Sequence, residues 1–262
     1  MATTLVYSTA DPVSSGVAKV LKGMTEFSRD GEIGGHPRFV SNMVTMIEMD
    51  VPLFMAEGID KLVGGTIVFI SKHASVGGIG SFTVHPTGNW RAAADFGGEP
   101  LRLSRSSPLH MLSLLKSLGG TVPESTTYEA THHGPLTESP SLFVELGGNP
   151  AFAASTDNHR FLASAILKSL NGDFKVEYGE VAVGIGGTHY PRKFTKLALE
   201  GKYAFGHIMP NYALAPDMIA QAVEMSDLEV EKAVVEWKSI KAADRELITR
   251  RLEELGIDYD RV

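Results

Sequence analysis

A chain of 262 residues, 43% hydrophobic and 21% charged, has enough apolar material for a sizeable core and is ordinary for a soluble globular protein. The formal net charge of -7 argues against a general nucleic-acid coat but leaves a local basic patch open, and the lack of cysteine excludes disulfides and thiolate chemistry. No apolar run approaches the ~20 residues that span a bilayer, and the opening MATTLVYSTADP lacks the regions of a signal peptide, so the cytoplasm is the expected compartment.

Thr3 to Ser8 reads as a strand, and Asp11 with Pro12 is an N-cap and N1 pair for a helix running to about Leu21. Ser14 and Ser15 fall in its first turn. Lys22 to Pro37, rich in glycine and charge, reads as a loop, and Val44 to Met49 as a second strand. Thr66 to Ser71 is the clearest buried strand, a short β-branched and aromatic run that ends in Lys72-His73-Ala74-Ser75, before Gly77-Gly78. Phe82 to Val84 continues into His85-Pro86 and Thr87-Gly88-Asn89-Trp90. An amphipathic helix is predicted over Pro108 to Leu118, closed by Gly119-Gly120. Thr126 to Thr131 is a strand delivering His132-His133-Gly134-Pro135, and Ser141 to Leu146 a strand with Glu145 inside it.

Asp157 to Leu170 carries apolar residues at helical spacing. Val181 to Ile185 is a strand that breaks at Gly184, Gly186 and Gly187 and presents Thr188, His189 and Tyr190 in a row. Pro191 then suits the first turn of a helix to Leu199. Tyr203 to Met209, containing Gly206 and His207, is the next strand. Beyond it Ser226 and Glu229 have capping-box spacing. The stripes Ala233, Val234, Trp237 and Leu247, Ile248, Leu252, Leu255 predict two C-terminal helices. The alternation of strands and helices predicts one α/β domain over residues 1–262, with 226–262 a helical extension packed on it.

His73, His85, His132, His133, His189 and His207 all fall at or just past predicted strand ends, where open α/β sheets place ligands. One such histidine is more often a hydrogen-bonded structural group; six at similar positions predict a shared crevice. Glu145, mid-strand among apolar residues, needs a partner, because burying a carboxylate unpaired is costly. A histidine, a metal or an arginine would serve. A His and Glu ligand set suits zinc, but H-E-x-x-H and similar tight spacings are absent, so His/Glu acid–base chemistry is equally open. Gly184-Ile185-Gly186-Gly187 fails as a dinucleotide loop, since His189 stands where the third glycine is required. No P-loop and no G-x-S-x-G elbow is present. Arg192, Lys193, Lys196 and Lys202 follow the glycine loop, and Lys72 precedes His73, a local positive patch that reads either as a solvated helix face or as a site for an anionic substrate.

Taken in order, Asp11-Pro12-Val13-Ser14, Ser71-Lys72-His73-Ala74-Ser75, Thr87-Gly88-Asn89, Thr131-His132-His133-Gly134-Pro135, Glu145-Leu146-Gly147, Gly186-Gly187-Thr188-His189-Tyr190 and Gly206-His207-Ile208 resemble the archaeal and plant type of D-aminoacyl-tRNA deacylase. The T-H-H-G-P and G-G-x-H-Y elements are the most specific parts, and the resemblance covers roughly residues 3 to 214. It implies an α/β three-layer sandwich, a central mixed sheet flanked by helices and similar to peptidyl-tRNA hydrolase. It also implies zinc as cofactor and hydrolysis of the ester between a D-amino acid and the 3′ end of tRNA. His132, His133, His189 and Glu145 are then expected in the chemistry, with His132, His189 and Glu145 as metal ligands. Lys72, His73, Asn89, Gly186, Gly187, Thr188, Tyr190, Lys193 and His207 are expected at the substrate. Backbone N–H groups from Gly187 to His189 would hold an oxyanion. The tRNA acceptor end is the expected partner; no protein partner and no membrane is called for. Two alternatives share the histidines: a zinc-dependent peptidase or amidohydrolase acting on a small molecule, and a non-catalytic RNA-end binding module.

Overall fold

The computed structural model describes residues 3–73, 78–119, 125–170 and 176–262. Ala74, Ser75, Gly77 and Gly120, which belong to expected strand-end and helix-stop motifs, lie outside the described residues. β1 (Thr3–Ser8) leads into α1 (Pro12–Met24), whose start is set by Asp11: its Oδ1 accepts the N–H groups of Val13 at 2.9 Å and Ser14 at 3.3 Å. The expected loop from Lys22 to Pro37 is instead largely a hairpin, β2 (Ser28–Ile33) and β3 (His36–Val40), turning at Gly34 and Gly35 with positive φ. The residues of β2 are almost all exposed, so no alternation of apolar residues marks it.

β4 (Thr45–Met49), β5 (Thr66–Ser71), β6 (Ser81–His85) and α2 (Pro108–Gly119) follow the expected bounds closely. β7 (Thr126–Tyr128) is shorter than expected, and β8 (Ser141–Gly147) completes an eight-stranded mixed sheet in the order β2-β3-β4-β1-β5-β8-β6-β7. β4, β1, β5 and β8 are parallel neighbours, while β6 joins β8 antiparallel.

After the short α3 (Pro150–Ala154) and α4 (Thr156–Leu170) come β9 (Glu180–Ile185), α5 (Arg192–Leu199), β10 (Tyr203–Met209) and α6 (Ile219–Glu224). The segment expected to form two helices holds β11 (Lys232–Val235), α7 (Ala242–Leu255) and β12 (Tyr259–Arg261). A second sheet, all parallel, runs β10-β9-β11-β12, so the C-terminal segment supplies half of its strands. Ala233-Val234 looks like a helical stripe because the strand is buried on both faces. Val234 joins the core under the large sheet, and Ala233 and Val235 join the core covered by α6 and α7.

The same alternation works in the large sheet. Leu5 and Tyr7 pack under α1, α2 and α4, whereas Val6, Ile67 and Phe69 face the 3₁₀ turns Leu53–Met55 and Ile59–Lys61. The expected mixed sheet flanked by helices is thus present, with a second sheet beside it. No helix among the described residues is long and apolar enough to cross a membrane.

The two sheets are joined by the chain that leaves β7. Glu129 N–H still bonds Val84 O of β6 at 3.0 Å; Ala130 N–H then bonds His189 O at 2.9 Å, and Thr131 N–H bonds Ile208 O of β10 at 3.0 Å. The chain leaves β6 after Glu129, because the amides of Ala130 and Thr131 change partner. His207 locks this seam. It is fully buried, its Nε2–H shared between Ser104 O and Met225 O, both at 3.0 Å, and its Nδ1 accepting from Thr131 Oγ1 at 3.1 Å. Such a residue has no surface for a ligand, which corrects its expected place at the substrate.

Burial holds the His207 pKa down at about 4, the backbone hydrogen bonds offsetting part of that effect. An unfolded chain binds this proton near pH ~6.5. The unfolded state is therefore favoured progressively as pH falls from the unfolded value toward the folded one, a loss on the order of 2–3 kcal/mol. Denaturant midpoints of the parent and H207Q between pH 7 and 4 check this. The variant is expected to show a shallower fall; parallel curves would show that another group is responsible.

Candidate active site

Four strand ends meet at Glu129, a carboxylate only 1% exposed. Its Oε2 lies 2.9 Å from His189 Nε2 and 3.5 Å from His132 Nε2, and its Oε1 lies 3.5 Å from His73 Nδ1. His85, at the end of β6, sits 3.5 Å by its Nε2 from Glu145 Oε2, and its ring is 4.2 Å from that of His132. His133, at φ +43°, turns its ring to within 5.0 Å of His85 and 4.3 Å of His132. Adjacent residues of an extended strand would face opposite ways. The left-handed backbone at His133 lets both histidines reach one crevice.

Close approach brings His73 in. A Cβ at Gly147 would lie 2.0 Å from His73 O, so glycine at the end of β8 makes room for the strand-end chain. His73 is buried, with Nε2 2.8 Å from Ser81 Oγ and Tyr190 Oη 3.4 Å from Nδ1. It supports the carboxylate from behind, which replaces the expected direct contact with substrate.

Burial by itself would raise the Glu129 pKa. The hydrogen bond from His189, with the charges of His85, His132 and His189, outweighs it and keeps the carboxyl ionised. Burial and the neighbouring His85 and His133 push His132 well down, and burial with His85 lowers His133 to about 3. For His85 the burial effect is overcome by Glu145, 3.5 Å away, and by the charge of Glu129, so its pKa is raised.

Tautomers here are set by the backbone. His85 Nδ1 lies 3.1 Å from Pro86 O, His132 Nδ1 2.8 Å from Ala130 O, and His133 Nδ1 2.6 Å from Gly134 O. A carbonyl only accepts, so in the neutral ring each Nδ1 carries the proton and each Nε2 presents a lone pair. These three histidines can bring ligand atoms within 4.8 Å of one another, as can Glu129, His132 and His189, and His85, Glu129 and Glu145. His85 Nε2 and Glu129 Oε1 are buried without a hydrogen-bond partner among the described residues. Acceptors facing one another in a dry crevice are what a cation relieves, and the donor set fits a metal.

The expected ligand trio of His132, His189 and Glu145 is not one of these groups. His132 and His189 are brought together, but the carboxylate beside them is Glu129; Glu145, 4% exposed, reaches the cluster through His85. β8 places Glu145 opposite Ser71 and Thr83, with β6 and β7 between it and the His189 turn. Glu129 and His85 are the residues the motif reading left out of the site. A carboxylate in the otherwise uncharged run Thr126-Thr127-Tyr128-Glu129-Ala130 was the available signal for the first.

His189 is about one-third exposed, its side chain at 34%, and its Nδ1 lies 3.1 Å from Tyr212 Oη. It opens onto a cavity of about 1200 Å³ lined also by Gly187, Thr188, Tyr190, Thr126 and Thr127, and along one edge by Arg192, Lys193 and Lys196 of α5. That helix buries Phe194, Thr195 and Ala198 and turns its cations outward. Pro191 precedes its first residue, one position earlier than expected. Gly186 and Gly187 have φ of +104° and +74° and shape the turn, but their amides are engaged by Met209 O and Ser239 Oγ. Gly187 N–H is therefore not an oxyanion donor, whereas the amides of Thr188 and His189 make no hydrogen bond among the described residues. Asn89 donates to Gly97 O and Glu99 O and so holds a neighbouring loop, and Lys72 is exposed, its amide bonded to Asp11.

The sequence profile of the family described as D-aminoacyl-tRNA deacylase matches residues 63–260. A protein of Ignicoccus hospitalis carrying that name is 36% identical over 98% of both chains. One from Pyrococcus furiosus with the same name is 40% identical over 74% of this chain and 72% of its own. A crystal structure described as a conserved protein of unknown function, 28% identical, superposes with a TM-score of 0.89 over 99% of this chain and 95% of that one. With a buried Glu–His cluster at the seam of two sheets and relatives of this similarity along its length, the chain belongs to the D-aminoacyl-tRNA deacylase family.

Proposed function

We propose that this protein hydrolyses the ester joining a D-amino acid to the 3′ end of tRNA, a cytoplasmic reaction that frees mischarged tRNA. The observation that carries the proposal is the Glu129–His189 pair, 2.9 Å apart, opening onto a cavity edged by Arg192, Lys193 and Lys196. The amidohydrolase alternative gives those cations no task, and the non-catalytic alternative gives none to the paired carboxylate and imidazole.

An aminoacyl ester is already activated, so a positioned base and a stabilised oxyanion suffice. His189 donates Nε2–H to Glu129 and turns Nδ1 toward the half-exposed Tyr212, whose hydroxyl can yield its place to water. Nδ1 takes the water proton as the water attacks the ester carbonyl, Glu129 stabilises the imidazolium that forms, and the imidazolium returns the proton to the ribose oxygen as the bond from that oxygen to the acyl carbon breaks. The amides of Thr188 and His189 hold the developing oxyanion. Lys193, with Arg192 and Lys196, neutralises phosphates of the acceptor end. His85, His132 and His133 would hold zinc through Nε2, and zinc bound there would supply Lewis-acid chemistry to the site.

E129Q and H189A are each expected to lower kcat on a D-aminoacyl-tRNA by about 10²- to 10⁴-fold with little change in KM. The double variant should fall well short of the product of the two losses, because the pair acts as a unit. Parental kcat in both single variants would remove the pair from the mechanism.

For the basic edge, K193E/K196E should raise KM about tenfold or more, far beyond its effect on kcat, and flatten the dependence of kcat/KM on salt. An unaltered salt slope would move the nucleic acid elsewhere. Metal analysis of the purified protein is expected to find zinc in the parent and depletion in H133A, with H207Q retaining it. Full zinc content in H133A would rule out the three-histidine set.

A further inference from the structure

The substrate of the proposed reaction has two unlike arms on one ester carbon, a polyanionic nucleotide chain and an amino-acid side chain. Two cavities are also lined by imidazoles of the Glu129 cluster. His189 lines the larger, with the basic edge of α5; His132 lines a second of about 170 Å³, walled by Trp90, Arg91, Ala93, Tyr212 and Ala213. The two imidazoles have ring centroids 4.7 Å apart, and both direct Nε2 at the same oxygen of Glu129. A carbonyl held at that pair would have a cavity beside each imidazole.

We infer that the smaller cavity receives the side chain of the D-amino acid and that Ala93 at its rim sets the size it accepts. This rests on the deacylase reading. Pockets that enclose a drug-sized molecule run to ~300–1,000 Å³; a space of about 170 Å³ suits a side chain and excludes a nucleotide. Its walls present ring and methyl surface, because the polar ends of Trp90 and Arg91 are turned to backbone carbonyls and the Tyr212 hydroxyl to His189 Nδ1. Trp90 Nε1–H is donated to Thr131 O at 3.0 Å, and Arg91 donates to the carbonyl of Tyr212.

The wall is also preformed. Gly88 N–H bonds His133 O at 2.7 Å, Asn89 N–H bonds Arg102 O at 2.8 Å, and Leu101 N–H bonds Arg91 O at 3.0 Å, tying both ends of the loop that carries Ala93. The Ala93 side chain is exposed at the rim, so a larger residue there needs no repacking of the core.

The test compares kcat/KM on D-alanyl-tRNA and D-tyrosyl-tRNA for the parent, A93W and A213V, which narrows the cavity from the opposite wall, after thermal melts confirm folding. The ratio of D-alanyl to D-tyrosyl turnover is expected to rise about tenfold or more in A93W and to move the same way in A213V. An unchanged ratio in A93W, whether both rates fall together or neither moves, overturns the assignment of this cavity. Failure of the parent to hydrolyse any D-aminoacyl-tRNA overturns the deacylase reading and this inference with it.

Discussion

A carboxylate removed from water without partners costs several kcal/mol, and Glu129 is removed almost completely. Its charge is kept by imidazoles that arrive from the ends of β5, β7 and β9, segments far apart in the chain. Three strand ends at the crevice are thereby tied to one ionised group. Loss of one imidazole leaves a buried charge short of a partner, a larger penalty than the pair's own net contribution. The arrangement gives up some stability in exchange for a fixed geometry around a single oxygen.

The second constraint is the use of backbone carbonyls to fix what the side chains present. Three histidines donate Nδ1–H to a carbonyl within two residues of themselves, so short loop geometry decides which nitrogen faces the crevice. Asn89 and Trp90 follow the same logic with their amide and indole donors. Loops with so many internal bonds present a shape that exists before any ligand arrives, which limits the ordering entropy that binding must overcome.

What could be read from the sequence follows from which physical signal each element leaves. β1, β5 and β8 are short runs buried on both faces, and Asp11-Pro12 announces a helix through its cap; both are local signals. β2 and β3 are held by edge pairing with polar residues outward, a pattern that composition equates with a loop. At Ser226 a capping-box spacing misleads, since Ser226 Oγ accepts Leu228 N–H and the chain turns into β11. The motif histidines were legible by position. Glu145 was singled out because a mid-strand carboxylate stands out, whereas Glu129 became visible only when β7 was seen to end one residue before it. Which carboxylate serves which histidine is a property of sheet order, with β8 between β5 and β6, and nothing local encodes it.

The seam of three successive amides, bonded in turn to β6, the His189 turn and β10, also bears on biosynthesis. Residues of the site enter the chain over an interval from His73 to Tyr212, and the carboxylate is made some sixty residues before His189. A nascent chain that has emerged only through α4 holds Glu129 without its nearest imidazole and without the strand that bonds Thr131. The large sheet can collect early, but its functional edge stays unsatisfied until the parallel partner of β9 has been synthesised and docked. Competence therefore arises late in translation: a truncated chain ending before His189 lacks the nearest imidazole of Glu129, and one ending before β10 lacks the strand that bonds Thr131.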